Sequence, residues 1–395
     1  MWIPRDIENL IAEYIKHFPV LILTGSRQAG KTSLYHHLFP DFNYVSLDDP
    51  FEADRAEQAP REFLNGYTTP LIIDEVQYAP SIFRYIKLSV DERKRAGEQG
   101  CHYLLTGSQH FDLMKNVSES LAGRAGIMSL PTLSANEVQA AMSDFELTEF
   151  VIQGGYPVLY SQTTLTPRSW FPSYISTYLE RDVRNAINVQ NLRDFSRFIR
   201  ALAIRSSQIL SFSDIARDVG VASNTIKSWI SIMQASNLIY LLEPYYLNIG
   251  KRLVKSPKIY FTDTGLLLHL LGIDSWARLI RSPLAGAVWE NFCFTQIHKT
   301  FLNHGNSNPP LWYWRTHDGN EVDFVIEKGA TLIALEAKLK ERPTPNDLKG
   351  FRHLQTYYGD EVIMEKIILC NTKGRTSLPN GAIVDNGLTI AELIL

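Results

Sequence analysis

Gly25, Ser26, Arg27, Gln28, Ala29, Gly30, Lys31 and Thr32 follow one another with the spacing of a phosphate-binding loop, and Ser33 continues it. Its glycines let the backbone fold tightly enough for successive N–H groups to face an anion. Lys31 would reach the β- and γ-phosphates of a nucleoside triphosphate, and the Thr32 hydroxyl would ligate Mg²⁺. Further on, Leu71, Ile72 and Ile73 run into the acids Asp74 and Glu75. Asp74 would hold Mg²⁺ through water, and Glu75 is placed to polarise an attacking water as general base. A second group lies near the other end of the chain: Glu290, Asp323, Glu336 and Lys338. Three carboxylates are hard oxygen ligands that favour Mg²⁺ over zinc, and such an ion would polarise a phosphodiester while Lys338 orients or activates water.

The elements around these residues are legible from hydrophobic pattern. Val20–Leu23 is a short continuous apolar run, the pattern of a buried strand, and Ser33–Leu38 can open the helix whose N-terminus grips phosphate. Ahead of it, Ile7, Leu10, Ile11, Tyr14 and Ile15 recur at helical spacing, with Pro4 where that helix could begin. Tyr44–Leu47 reads as a second strand ending in Asp48 and Asp49, which either assist Mg²⁺ or cap the next helix. Ile82, Tyr85, Ile86 and Leu88 mark a helix and Tyr103–Thr106 a further strand. Ser108 after it either contacts the γ-phosphate or attacking water, or simply forms a turn. Arg124, before a strand over Ile127–Leu130, could stabilise a transferring phosphoryl group in its own subunit or across an interface. A surface salt bridge is the other reading.

At 395 residues the chain is long enough for two to four domains, and 45% hydrophobic with 21% charged residues is a globular composition. A formal net charge of −3 excludes a uniformly basic nucleic-acid binder, while leaving room for a local patch. Cys101, Cys293 and Cys370 lack paired spacing, which supports neither a disulfide framework nor a zinc site and points to a reducing cytoplasm. The start of the chain carries Asp6 and Glu8 without a signal-peptide core, and the apolar stretch at Leu266–Ile273 is too short to span a membrane. The expectation is a cytoplasmic protein with no membrane partner.

Arg27 and Gln28 inside the loop, the strand end Leu47, Asp48, Asp49, Pro50, the Asp74–Glu75 pair with Gln77 and Pro80, and the Thr106, Gly107, Ser108 turn together carry a resemblance. They are similar to the widespread bacterial and archaeal AAA-type ATPases related to the archaeal ATPases. Gly154, Gly155, Tyr156, Pro157 and Tyr178, Leu179, Glu180, Arg181, Asp182, Val183 resemble the same family, so the likeness covers nearly the whole chain. It implies an ATP-binding core: an α/β fold with an AAA-type P-loop parallel sheet over residues 1–133.

Residues 134–200 read as a helical lid or connector, in which Leu147, Phe150 and Val151 form one apolar face before the Gly154–Gly155 break. Within 201–273, Ser213–Val219 and Ser223–Gln234 form two short helices, capped by Ser213 and Ser223, around a turn at Gly220. Strands Tyr240–Leu242 and Lys258–Phe261 then give a winged-helix-like unit. Arg181, Arg184, Arg193, Arg197, Arg200, Arg205, Arg217, Lys227, Lys251, Arg252, Lys255 and Lys258 surround it, the local excess that phosphate contact needs. Asn224, Thr225, Lys227 and Ser228 would face DNA from the second helix. Winged helices also dock proteins, so DNA and a protein partner both stand as expectations. Residues 274–395 carry a helix over Ala287–Thr300 with Glu290, a strand Val322–Ile326 with Asp323, and a strand Leu332–Leu335 leading into Glu336 and Lys338, then a strand Lys366–Cys370. That order is similar to the restriction-endonuclease-like superfamily with its Asp…Glu-x-Lys signature, and implies either a Mg²⁺-dependent nuclease or a silent domain of the same PD-(D/E)xK-like fold. Either way the expected ligands are ATP and Mg²⁺; oligomeric state is not legible.

Overall fold

The computed structural model describes residues 2–107, 120–162, 164–179, 192–246 and 256–395. Ser108, residues 180–184, Lys251, Arg252 and Lys255, each singled out above, lie outside the described residues.

Helix α1, Glu8–His17, begins four residues later than Pro4 suggests. Ahead of it the Arg5 N–H is taken by the Glu8 carboxylate at 2.8 Å and the Asp6 N–H by Glu137 at 2.8 Å. Strand β1, Val20–Thr24, is wholly buried and delivers the chain into the glycine loop, after which α2, Lys31–Leu38, starts at the lysine itself. Then come β2 (Asn43–Ser46), α3 (Pro50–Gln58), α4 (Pro60–Asn65), β3 (Leu71–Asp74), α5 (Ile82–Arg95), β4 (Tyr103–Thr106) and β5 (Ala125–Ser129). Asp49 caps α3 through the Phe51 N–H at 2.9 Å, which decides its role in favour of the cap.

These five strands form one parallel sheet in the order β2-β3-β4-β1-β5. Each strand is apolar because both of its faces are covered. One face packs Val20, Ile22, Ile73 and Leu105 against α4 and α5, and the other packs Leu21, Leu23, Ile72 and Leu104 against α1 and α2. The order matters for the site. β4 lies between the strand that feeds the loop and the strand that carries the acids, so the end of β4 sits between the ends of β1 and β3.

The middle of the chain is helical: α6 (Ala135–Ala141), α7 (Leu147–Gln153), α8 (Pro167–Tyr174), α9 (Leu192–Ile204), α10 (Phe212–Val219) and α11 (Ser223–Ala235). Gly220 ends α10 at φ +85°, giving the expected turn between the helix pair. Ser211, not Ser213, caps α10, accepting the Asp214 N–H at 3.4 Å, and α11 opens at Ser223 without a side-chain cap. Strands β6 (Ile239–Leu242) and β7 (Lys258–Phe261) pair antiparallel, and α12 (Thr264–Leu271) follows.

The last part opens with α13, Ala285–Asn303, a helix buried on nearly every side. Strands β8 (Leu311–Arg315), β9 (Glu321–Lys328) and β10 (Thr331–Lys338) form an antiparallel meander. After α14 (Lys349–Tyr358), β11 (Ile363–Cys370) returns parallel to β10, and β12 (Thr376–Ser377) and β13 (Ile383–Asp385) complete a six-stranded sheet. β8, β12 and β13 were missed in the sequence, and β10 runs through Glu336 and Lys338 instead of ending before them. One apolar cluster extends from Leu133 through Phe198, Trp229 and Phe261 to Phe294, Leu335 and Ile394, so α13 shares a core with the helices before it.

Candidate functional site

The glycine loop is held by sterics. Gly25 sits at φ +143°, and a Cβ there would meet the Leu130 carbonyl oxygen at 2.2 Å, so only glycine passes beside the strand that flanks β1. Gly30 takes the left-handed position at φ +98° from which α2 begins. Lys31, 5% exposed, donates from Nζ to the carbonyls of Gly25 and Ser26 at 3.1 Å each. Burial depresses its ammonium to about 8 against the opposing pull of Glu75 and Asp74. Ser26 and Ala29 are buried, Arg27 is half-buried, and Gln28 and Ser33 are exposed.

The Thr32 hydroxyl lies 2.9 and 3.0 Å from the two oxygens of Asp74, forty-two positions away in sequence. The Tyr44 hydroxyl donates to Asp74 at 3.1 Å, and Thr106 donates to it as well. Thr106 Oγ1 also accepts the Glu75 N–H at 3.2 Å, so the end of β4 fixes both acids. Glu75 itself has φ 53°, a left-handed backbone that a non-glycine residue adopts only where its surroundings enforce it, and Gln77 donates to its Oε2 at 2.5 Å. In front of the loop a cavity of 520 Å³ is lined by Arg27, Gln28 and Asp48 on one side and by Trp170, Ser173 and Tyr174 of α8 on the other. The residues fit a Mg²⁺–triphosphate: hard oxygens of Thr32 and Asp74 adjoin a loop whose first glycine cannot be replaced, and a lysine rests on neutral carbonyls beside them.

Arg124 does not face this site. Its Nε and Nη2 grip Asp91 of α5 at 2.7 and 3.0 Å, the surface ion pair that was the alternative reading.

Sequence reasoning missed the strut behind the loop. Arg5, 5% exposed, donates to the Glu137 carboxylate at 3.0 Å, to the Ala29 carbonyl at 3.2 Å and to the Pro131 carbonyl at 2.7 Å. Glu137 in turn closes the capping box of α6 with Ser134. Beside it, Asp263 accepts the Thr132 hydroxyl at 2.9 Å and the Gly155 N–H at 2.8 Å while capping α12, and Lys299 of α13 donates to Leu133 O at 2.8 Å. The loop, the helical middle and α13 therefore meet in one buried polar junction. The Ser134–x–x–Glu137 box is visible in sequence, but its arginine partner is 132 positions away. Arg5→Ala strands a buried carboxylate, and urea unfolding is expected to show a loss of about 3–5 kcal/mol.

In the last sheet, Asp323 and Glu336 converge. Asp323 Oδ2 accepts the Ala337 N–H at 2.9 Å and faces Lys338 Nζ at 3.4 Å, while Lys338 pairs with Glu336 at 2.5 Å. Glu336 is pushed up by burial and by Asp323 beside it. Glu290 is not brought into a shared ligand set with them. The Lys258 ammonium stands in between, 2.8 Å from Glu290 Oε1 and 3.8 Å from Asp323 Oδ1, with Glu321 also paired to it. Among the described residues no group of three His, Cys, Asp or Glu is placed to hold a metal ion. The Mg²⁺ expected from Glu290, Asp323 and Glu336 therefore does not fit this arrangement. Lys258, read above as part of a basic surface, is 2% exposed and buried in acids.

The chain's likenesses agree with the first sheet and leave the rest open. Residues 17–139 match the family described as AAA domain. Residues 144–277 and 285–386 match two domains of unknown function, DUF8612 and DUF4143. The uncharacterized protein Rv2008c of Mycobacterium tuberculosis is 32% identical over 343 residues, covering 86% of this chain and 75% of that protein. The uncharacterized protein MJ1544 of Methanocaldococcus jannaschii is 23% identical, over 94% and 86% respectively. Among solved structures, the Walker-type ATPase PABY2304 of Pyrococcus abyssi is similar at a TM-score of 0.44 and 13% identity, over 67% of this chain and 95% of that one. No helix among the described residues is long and apolar enough to cross a membrane.

Proposed function

From the premise that this chain belongs to the family of the mycobacterial protein Rv2008c, and carries an AAA domain with a P-loop sheet, we propose that it binds and hydrolyses ATP with Mg²⁺ and uses that cycle to govern a DNA contact. The observation that carries the reading is the meeting of Thr32 with Asp74 beside Glu75 at the mouth of the glycine loop. Lys31 leaves the carbonyls of Gly25 and Ser26 for the β- and γ-phosphate oxygens, and the loop N–H groups from Ser26 to Ser33 cradle the rest. Thr32 and Asp74 would hold Mg²⁺, which would supply charge to neutralise the phosphate oxygens. Glu75, aimed by Gln77 and Thr106, takes the proton of the attacking water. Arg124 enters only on release from Asp91, and Ser108 is the polar group nearest in sequence to Thr106.

We read residues 1–133 as the ATPase part, 134–200 as the lid, 201–273 as a winged-helix-like unit and 274–395 as a restriction-endonuclease-like fold without cleavage. DNA contact is assigned to α11, whose exposed residues Asn224, Lys227, Ser231 and Gln234 fall on one helical face free of acids. A second reading, an ATP-gated switch that docks a protein, is favoured by a different observation: Arg205 and Arg217 of the neighbouring surface are already paired with Asp218 and Asp214.

Duplex DNA retention over a salt series separates the two. The parent is expected to bind at low salt, and Lys227→Ala to reduce the slope of log affinity against log salt by about 1. A parent with no low-salt retention leaves the protein-docking switch.

A further inference from the structure

Two lysines serve the acidic cluster of the last sheet, and they differ in origin. Lys338 lies on β10 two residues from Glu336, so it points to the same face by strand geometry alone. Lys258 comes from β7, in the two-stranded β6–β7 sheet, so only tertiary packing brings it to the cluster. Its ammonium is set against Glu290 of α13, Glu321 and Asp323 of β9, and the ring of Tyr313 with its centroid 5.6 Å away. Tyr260, on the same face of β7, donates its hydroxyl to Glu290 at 2.6 Å. The cluster is closed on its other side by α14: a Cβ on Gly350 would lie 2.2 Å from Glu336 Oε1, so this helix passes directly over that carboxylate.

We propose that Lys258 is the resident cation of this cluster, standing where a divalent metal ion would have to bind to join Glu290 to Asp323. A divalent ion placed among these carboxylates would face an ammonium within a few ångströms, in a buried setting that screens the repulsion weakly. The ion and the amine are mutually exclusive. The acids of the last sheet therefore act as a receptor for β7, pinning the strand that follows the α10–α11 helix pair onto the C-terminal sheet. The site opens to a metal only if that strand withdraws. This inference does not depend on the proposed ATP chemistry, because none of its residues touches the glycine loop.

The test is Mn²⁺ binding to the full chain without nucleotide, read from the electron paramagnetic resonance signal of free Mn²⁺. The parent and Asp323→Asn are expected to bind Mn²⁺ identically. Lys258→Met is expected to gain one Mn²⁺ per chain, lost again in Lys258→Met/Asp323→Asn, and its melting temperature is expected to rise with Mn²⁺ while that of the parent does not respond through this site. A Mn²⁺ site in the parent that disappears in Asp323→Asn overturns the proposal, as does a folded Lys258→Met protein that gains none. If Lys258→Met does not fold, Lys258→Gln takes its place with the same two outcomes, a gained Mn²⁺ site supporting the resident amine and none overturning it, and a parental site lost in Asp323→Asn still refutes it.

Discussion

Lys31→Ala is expected to weaken ATP binding by about 10- to 150-fold, the equivalent of one charge-assisted hydrogen bond of roughly 1.5–3 kcal/mol, and to reduce hydrolysis to background. The ammonium is buried at the head of α2 and, without nucleotide, satisfied only by two neutral carbonyls, so its exchange for phosphate oxygens is a gain that no neighbouring side chain reproduces. A pH signature accompanies it. Because burial brings the free ammonium down to about 8, raising the pH through that value deprotonates Lys31 before ATP arrives, and binding must then restore the proton. ATP affinity is expected to be level below about pH 8 and to fall by about tenfold per unit above it. Lys31→Ala removes that slope. Isothermal titration calorimetry with Mg²⁺–ATP from pH 7 to 9.5 measures both effects; an unchanged affinity in Lys31→Ala removes the glycine loop from the account.

Glu75→Gln separates binding from chemistry. The Thr32 hydroxyl bonds Asp74, so the proposed cradle and Mg²⁺ ligands are expected to stay intact, and the amide oxygen of glutamine can still accept from Gln77. What is lost is the group proposed to take the proton from water. Single-turnover hydrolysis is expected to slow by about 10²- to 10⁴-fold with ATP affinity within about twofold of the parent. A turnover close to the parental rate would move the general base elsewhere. The left-handed backbone of Glu75 adds a structural check: because Thr106 holds the Glu75 N–H and the Asp74 carboxylate, Thr106→Val is expected to lower turnover as well, through misplacement of both acids.

The loop and its strand were legible because everything they need is local. Glycines at fixed offsets, an apolar run before them and a helix after them depend on neighbours within a few residues. The acidic strand end was equally visible, since a run of apolar residues closing in two carboxylates is a contiguous pattern. Thr106 was marked only as the end of a strand and the start of the turn after it. Its role in holding both acids follows from the strand order, in which β4 is inserted between β1 and β3, and no local pattern encodes which strands become neighbours. Arg124 shows the opposite case: its partner Asp91 lies on a helix thirty-three positions earlier, and both readings were open until that helix was placed.

The sequence by itself determined where a triphosphate could be gripped, which residue types stood ready to hydrolyse it, and the order of helices and strands that carries Glu290, Asp323, Glu336 and Lys338. Tertiary structure alone decided what those last residues face. A lysine in a run of basic residues reads as a solvated surface, because charge patterning along the chain assumes each side chain meets water. Pairing β7 against β6 and packing it on α13 instead carried Lys258 into the acids of β9, where its ammonium is buried and paired. The same reason hid Arg5 and Asp263: buried charges are chosen by partners more than a hundred positions away, and only the assembled core brings them together.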